Sequence, residues 1–199
     1  MEQKVDIISM SFGYKDANDD VEQAIGDAHH KKILMFAATS NDGQNGDCLY
    51  PARQLEVIDI SSATAMGSSS DSNPPSTEDR CRFTCLGEDI ALEAMKKDDI
   101  CLIERGRISG ASFATPFAVG IAAMVLGFVA QHENQTGRGM LFTKLHDTSR
   151  MRRVLEKMST LQNDGSHWLT PWKFFRIDPD LSFETQSEFW YHEIKTLIR

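Results

Sequence analysis

Two short β-rich apolar runs, residues 5–10 (VDIISM) and 33–38 (ILMFAA), flank one amphipathic stretch within about 35 residues. This pattern constrains the fold more than any other feature of the chain. Each run reads as a strand covered on both faces, because neither alternates between apolar and polar residues. Between them, Val21, Ala24, Ile25 and Ala28 recur at helical spacing, so one stripe of a helix faces a core. Asn18, Asp19 and Asp20 offer caps for its first turn. Strand, helix and strand at this spacing form a βαβ unit, which requires a parallel sheet with a right-handed crossover. The fold class that follows is α/β.

The rest of the chain continues the pattern. Residues 39–53 form a loop rich in Asn, Asp, Gly and Ser, and residues 57–60 read as a third strand. The stretch 66–79 carries Ser68-Ser69-Ser70 and Pro74-Pro75 and reads as an exposed loop. Short β-rich pieces follow near residues 82–85 and 100–104. Residues 113–130 contain no charged side chain. Such a stretch fits either a membrane span or the central helix of a soluble α/β domain. Thr115, Pro116, Gly120, Gly127 and many small residues favour the buried helix, with Pro116 expected in its first turn, where a missing N–H costs nothing. The composition turns polar after Gln131. The expected organisation is therefore a unit over residues 1–132 and an extension over 133–199. The extension holds an amphipathic helix around Met151, Val154, Leu155 and Met158, a turn at Asn163-Asp164-Gly165 and all three tryptophans. Tryptophans in such a tail are expected to pack onto a body.

Composition excludes some functions. The net charge of −8 argues against nucleic acid or an anionic membrane surface as a partner, since either favours a basic face. Cys48, Cys81, Cys85 and Cys101 are too few and scattered for a disulfide framework. The lone C-x3-C of Cys81 and Cys85 lacks the second ligand pair of a structural zinc site, so buried thiols are expected. Met1-Glu2-Gln3-Lys4 leads straight into the first apolar run with no visible signal peptide, which implies an intracellular protein if Met1 is the true start.

The segment that carries chemistry is Gly110-Ala111-Ser112-Phe113-Ala114-Thr115-Pro116. A serine at the start of a helix sits where the positive end of the dipole favours developing negative charge, although most such serines are only caps. Followed by Ala118-Val119-Gly120, this segment resembles the nucleophile motif of the subtilisin-like serine proteases, Gly-Thr-Ser-Met-Ala-(Ser/Thr)-Pro-His-Val-Ala-Gly. Ala111 and Phe117 depart from that motif, at positions that do not supply the attacking group. Two more blocks occur in the family's order. Ile7-Ile8-Ser9-Met10-Ser11-Phe12-Gly13 resembles the strand ending in Met-Ser-Leu-Gly, and Ala37-Ala38-Thr39-Ser40-Asn41-Asp42-Gly43 resembles Ala-Ala-Ala-Gly-Asn-(Glu/Asp)-Gly. Tyr50-Pro51-Ala52 matches the family's Tyr-Pro, while Leu86-Gly87-Glu88-Asp89-Ile90 matches its Ala-Pro-Gly less well because the proline is missing.

The resemblance implies a subtilisin-like three-layer α/β/α fold with a mostly parallel sheet, N-terminally truncated. It implies a serine endopeptidase acting on peptide or protein substrates, with Ser112 as nucleophile and Asn41 as the oxyanion donor. Ser11, Phe12 and Gly13 would lie beside the substrate backbone, and Ser40, in place of the family's glycine, would narrow the adjoining pocket. Many family members bind calcium, but no ligand set for it, or for any other metal or cofactor, carries over. The family's catalytic aspartate and histidine occur in Asp-(Ser/Thr)-Gly and His-Gly-Thr blocks, and neither is present here. His29 and His30 read as solvated residues. Losing the base costs on the order of 10⁶ in turnover in a subtilisin, which leaves roughly 10³–10⁴ over water from binding and the oxyanion hole. The expectation is a chain inactive in isolation that belongs with a missing N-terminal half or a larger polypeptide. The alternatives are a peptide-binding pseudoprotease and an α/β-hydrolase esterase. The esterase would use Gly110-x-Ser112-x-Ala114 as its elbow, with Asp147 or Asp164 and His167 or His192 completing a triad. It requires a buried strand running into the elbow, and Glu104-Arg105-Gly106-Arg107 interrupts one.

Overall fold

The computed structural model describes residues 5–43, 46–75, 82–92, 95–97, 100–103, 106–136 and 139–198, with backbone alone over 92–103. The expectations for Met1–Lys4, Cys81, the Cys101 thiol, residues 76–79 and Glu104-Arg105 lie outside the described residues.

The βαβ unit forms as read. Strand β1 (Ile7–Met10) leads through helix α1 (Asp19–His30) to β2 (Leu34–Ala38), and the strands pair in parallel with Ile7 opposite Leu34. Asn18 caps α1, its side chain accepting from the N–H groups of Asp20 and Val21. Every residue of β2 is buried, as its unbroken apolar run requires. Strand β3 (Val57–Ala63) runs three residues further than its apolar signal, and β4 (Phe83–Leu86) pairs beside it, both in parallel. Two of the extra residues, Ser61 and Ser62, are polar but have partners. The Ser61 and Thr39 hydroxyls share a hydrogen bond at 2.9 Å, and Asn73 accepts from the Ser62 N–H while donating to the Ser62 carbonyl.

Strands β5 (Ile90–Leu92) and β8 (Gly106–Ile108) form one small antiparallel pair, and β6 (Met95–Lys97) and β7 (Ile100–Ile103) another. Helix α2 (Ala111–Thr136) follows, then α3 (Leu141–Leu145), α4 (Thr148–Lys157), the β9–β10 hairpin (Ser159–Leu161, His167–Leu169), α5 (Pro171–Phe174) and α6 (Phe183–Leu197). Strand β10 pairs in parallel with β4 and antiparallel with β9, so the main sheet has the order β1-β2-β3-β4-β10-β9.

Both faces of this sheet are covered. On one side Met35, Ala37 and Val57 pack with Ile25 and Ala28 of α1 and with Tyr50 and Ala52. On the other, Phe36, Ile58, Ile60 and Phe83 meet α2 through Ala114, Ala118, Ala122, Val125 and Val129. Met151, Val154 and Leu155 of α4 and Tyr191 and Ile194 of α6 close the same core. This is a three-layer α/β/α arrangement around a mostly parallel sheet. Helix α2 is long and apolar enough to cross a membrane, and its small buried residues lie against the sheet. Trp190 is buried beside Phe128 and Phe175, whereas Trp172, expected to pack likewise, is exposed. Burial pushes the Cys85 thiol up to about 11.

One local expectation is corrected. Pro116 is not in the first turn, because α2 begins at Ala111 and Pro116 lies in its second. The Ser112 carbonyl therefore lacks the N–H that residue 116 would donate in a regular helix. The Ser11 hydroxyl donates to that carbonyl instead, at 2.8 Å.

Candidate active site

The C-terminal ends of β1 and β2 and the start of α2 bring together the residues singled out in the sequence. Ser11 follows β1, Asn41 follows β2, and Ser112 is the second residue of α2. Gly110 makes this junction possible. Its φ of +136° suits glycine, and a Cβ there would lie 3.1 Å from both Nδ2 and Oδ1 of Asn41.

Asn41 ties its loop to the helix. Its Oδ1 accepts from the Ala111 N–H at 2.8 Å, satisfying one of the donors a helix leaves open in its first turn. That bond also fixes the amide: with the oxygen committed to the helix, the NH₂ is the group left to serve a ligand. Ser40 is buried, and its hydroxyl accepts from the Asp42 N–H at 3.1 Å, closing the turn that presents Asn41.

Ser112 and Ser11 are doubly linked. The Ser112 hydroxyl donates to the Ser11 carbonyl at 3.2 Å, while the Ser11 hydroxyl holds the Ser112 carbonyl. The Ser112 N–H sits in the first turn, among the donors without an intrahelical acceptor, at the positive end of a 26-residue helix. Phe12 is exposed. Gly13 is pressed against Leu49, whose Cβ would lie 2.6 Å from an added Cβ. Beyond Gly13 the chain is held by paired hydrogen bonds between Tyr14 and Tyr50, which follows the second loop.

The other titratable candidates lie elsewhere. The His30 ring bonds the Gly26 carbonyl within α1, and His29 meets it edge-on. His146 bonds Asp6 at the opposite end of β1. Asp147 caps α4, Asp164 accepts from Ser166 in the β9–β10 turn, His167 bonds Ser159, and His192 is exposed on α6. Among the described residues none of these groups hydrogen-bonds Ser112, so the Ser-Asp-His grouping of an esterase does not assemble. Among the described residues the strand before the motif, β8, pairs with β5 alone, outside the main sheet, which is not the strand-to-helix elbow that reading needs. Among the described residues no three His, Cys, Asp or Glu side chains converge as a metal site.

Sequence reasoning missed Glu88. It follows β4, and its Oε1 accepts from the hydroxyls of Ser70 and of Ser62, the latter at 3.3 Å. Its only local signal was its place after Gly87 in the Leu86-Gly87-Glu88-Asp89-Ile90 block, which matches the family weakly because the proline is missing.

Known proteins resemble this chain in sequence and fold. The sequence model of the subtilase family, Peptidase S8, matches residues 1–168. The subtilisin-like protease het-Q2 of Podospora anserina is 33% identical over 190 residues, covering 87% of this chain and 49% of that protein. The major intracellular serine protease of Bacillus subtilis is 27% identical, covering 85% of this chain and 51% of that one. The chain thus spans about half the length of these relatives. Among solved structures, the prenylagaramide maturation protease PagA superposes with a TM-score of 0.60 at 25% identity, over 79% of this chain and 53% of that one. A mutant of the protease domain of PatA superposes with a TM-score of 0.63 at 21% identity, over 96% and 60%, a likeness of fold.

Proposed function

The chain belongs to the subtilase family, and on that premise we propose that it carries the nucleophile half of a serine endopeptidase site. The observation that supports this most directly is the Asn41 amide, its oxygen bound to the first N–H of α2 and its NH₂ beside Gly110, two residues before Ser112. In this reading the Ser112 Oγ attacks the carbonyl carbon of a peptide bond. Its proton passes to a base supplied from outside the described residues. The oxygen that becomes negative is stabilised by the Asn41 NH₂, the Ser112 N–H and the α2 dipole. Collapse of the tetrahedral species expels the amine and leaves an acyl-enzyme on Ser112, which water then hydrolyses. The substrate backbone lies along Ser11–Gly13, adding main-chain hydrogen bonds at the end of β1. Ser40 supports the loop beneath it.

Before attack, the Ser112 hydroxyl must leave the Ser11 carbonyl, which is an acceptor but too weak a base to take its proton. The test is cleavage of quenched peptides by the polypeptide as its gene encodes it. Ser112→Ala should abolish turnover and labelling by a fluorophosphonate. Asn41→Ala should reduce kcat by about 10²–10³ with little change in KM, a magnitude established in a subtilisin rather than worked out from this geometry. Cleavage that survives Ser112→Ala refutes the assignment. Peptide that binds without being cleaved by the unaltered protein marks a peptide-binding member of the family.

A further inference from the structure

A cavity of about 640 Å³ opens beside the junction of Asn41 and Gly110 and extends to Ser70, Asp71, Glu88 and Ser109. Sheet order places it relative to the scissile bond. Ser11–Gly13 follows β1, Asn41 follows β2, and the cavity wall is built from the segments after β3 and β4. With neighbouring strands about 4.8 Å apart, Glu88 lies roughly 10 Å past Asn41, on the side away from β1. A peptide whose acyl side follows β1 and whose scissile carbonyl faces Asn41 therefore carries its leaving-group side over this cavity.

Glu88 is held in a definite orientation there. Gly87 lets the end of β4 press against the start of α2, since a Cβ at Gly87 would lie 2.9 Å from both Ala114 Cβ and the Gly110 carbonyl oxygen. The next residue is consequently fixed beside Ser109 and Gly110. The Glu88 Oε1 is occupied by the Ser62 and Ser70 hydroxyls, while its Oε2 has no partner among the described residues. Among the described residues, those lining the cavity include a second carboxylate, Asp71, and no Lys, Arg or His. The nearby guanidinium of Arg107 is paired with Asp89.

We propose that Glu88 is a specificity-determining residue that selects a cationic side chain on one of the first two residues after the scissile bond. The inference rests on the proteolytic reading, because that reading places the scissile bond at Ser112. A lysine side chain that reaches Oε2 from one of these positions gains a charge-assisted hydrogen bond, while a glutamate meets two carboxylates.

The test uses three fluorescent peptides that differ only in Lys, norleucine or Glu at those two positions. Binding is read by anisotropy on the Ser112→Ala protein and cleavage on the unaltered protein. Lys should bind about tenfold more tightly than norleucine, and Glu more weakly than either. Glu88→Gln preserves an acceptor for the two hydroxyls and should bring the Lys-to-norleucine ratio to about one. Glu88→Lys should reverse the preference in favour of the Glu peptide. Equal binding of the Lys and norleucine peptides, or a Lys preference that survives Glu88→Gln in a protein folded by circular dichroism, overturns the proposal. Charge-dependent binding without cleavage counts against the proteolytic reading and leaves the cationic subsite standing. Cleavage indifferent to Glu88 overturns the subsite alone.

Discussion

Replacing Ser11 by alanine removes the hydroxyl that serves the Ser112 carbonyl at 2.8 Å. In a regular helix that carbonyl would accept from the N–H of residue 116, and proline has none. Ser11 is exposed, so water reaches the vacated acceptor and the full penalty of a buried orphan does not apply. The expected destabilisation is that of one ordinary hydrogen bond, about 1 kcal/mol with a range of roughly 0.5–1.5. The origin of this cost is isolated by a double-mutant cycle. In Pro116→Ala the carbonyl regains a helical N–H, so Ser11→Ala should then cost only a few tenths of a kcal/mol. That leaves a coupling energy of about 0.5–1 kcal/mol. Urea unfolding followed by circular dichroism measures all four corners. For a slope of about 2 kcal/mol per molar, Ser11→Ala lowers the midpoint by about 0.5 M in the native background and far less beside Ala at 116. Equal costs in the two backgrounds would refute the idea that Ser11 substitutes for the missing helical donor.

Two further outcomes follow from contacts of α4 away from the site. Arg152 reaches from α4 to the Val57 carbonyl at 2.6 Å and to Asp59 at 3.0 Å, with side chains 19% and 9% exposed, so Arg152→Ala should destabilise the fold by about 3 kcal/mol in the same unfolding assay; a loss below 1 kcal/mol would show that the pair is dispensable. The Asp147 carboxyl is held below its ordinary 3.8 chiefly by the Ser149 hydroxyl, with the Arg150 N–H adding to it. A depressed folded-state value means that its contribution is fully present above the unfolded value and is lost as pH falls through the folded one. Asp147→Asn keeps a capping acceptor but cannot titrate, so the melting temperature of the variant should fall less steeply below pH 3.8 than that of the native protein; parallel pH profiles would assign the acid sensitivity to other groups.

Local pattern determined much of this protein. The apolar runs and the Asn18 cap are written in contiguous residues, so β1, α1 and β2 could be placed from them, and a parallel α/β sheet follows from their spacing. The Ser112 segment and the loop of Asn41 were legible as motifs because their residue types are unusual together. What the sequence could not determine depends on residues distant along the chain. The start of α2 depends on Asn41, which supplies an acceptor to Ala111 from 70 residues away and so moves Pro116 into the second turn. The end of β3 ran past its apolar signal because Thr39 and Asn73 supply partners to Ser61 and Ser62. The pairing of β10 with β4 joins residues whose separation no periodicity records. Glu88 acquires its orientation only where β3, β4 and the Ser70 loop meet. Periodicity and capping act within a few residues and can be read along the chain. Hydrogen-bond satisfaction of buried and helix-terminal groups acts through space, and only the folded chain decides which partners arrive.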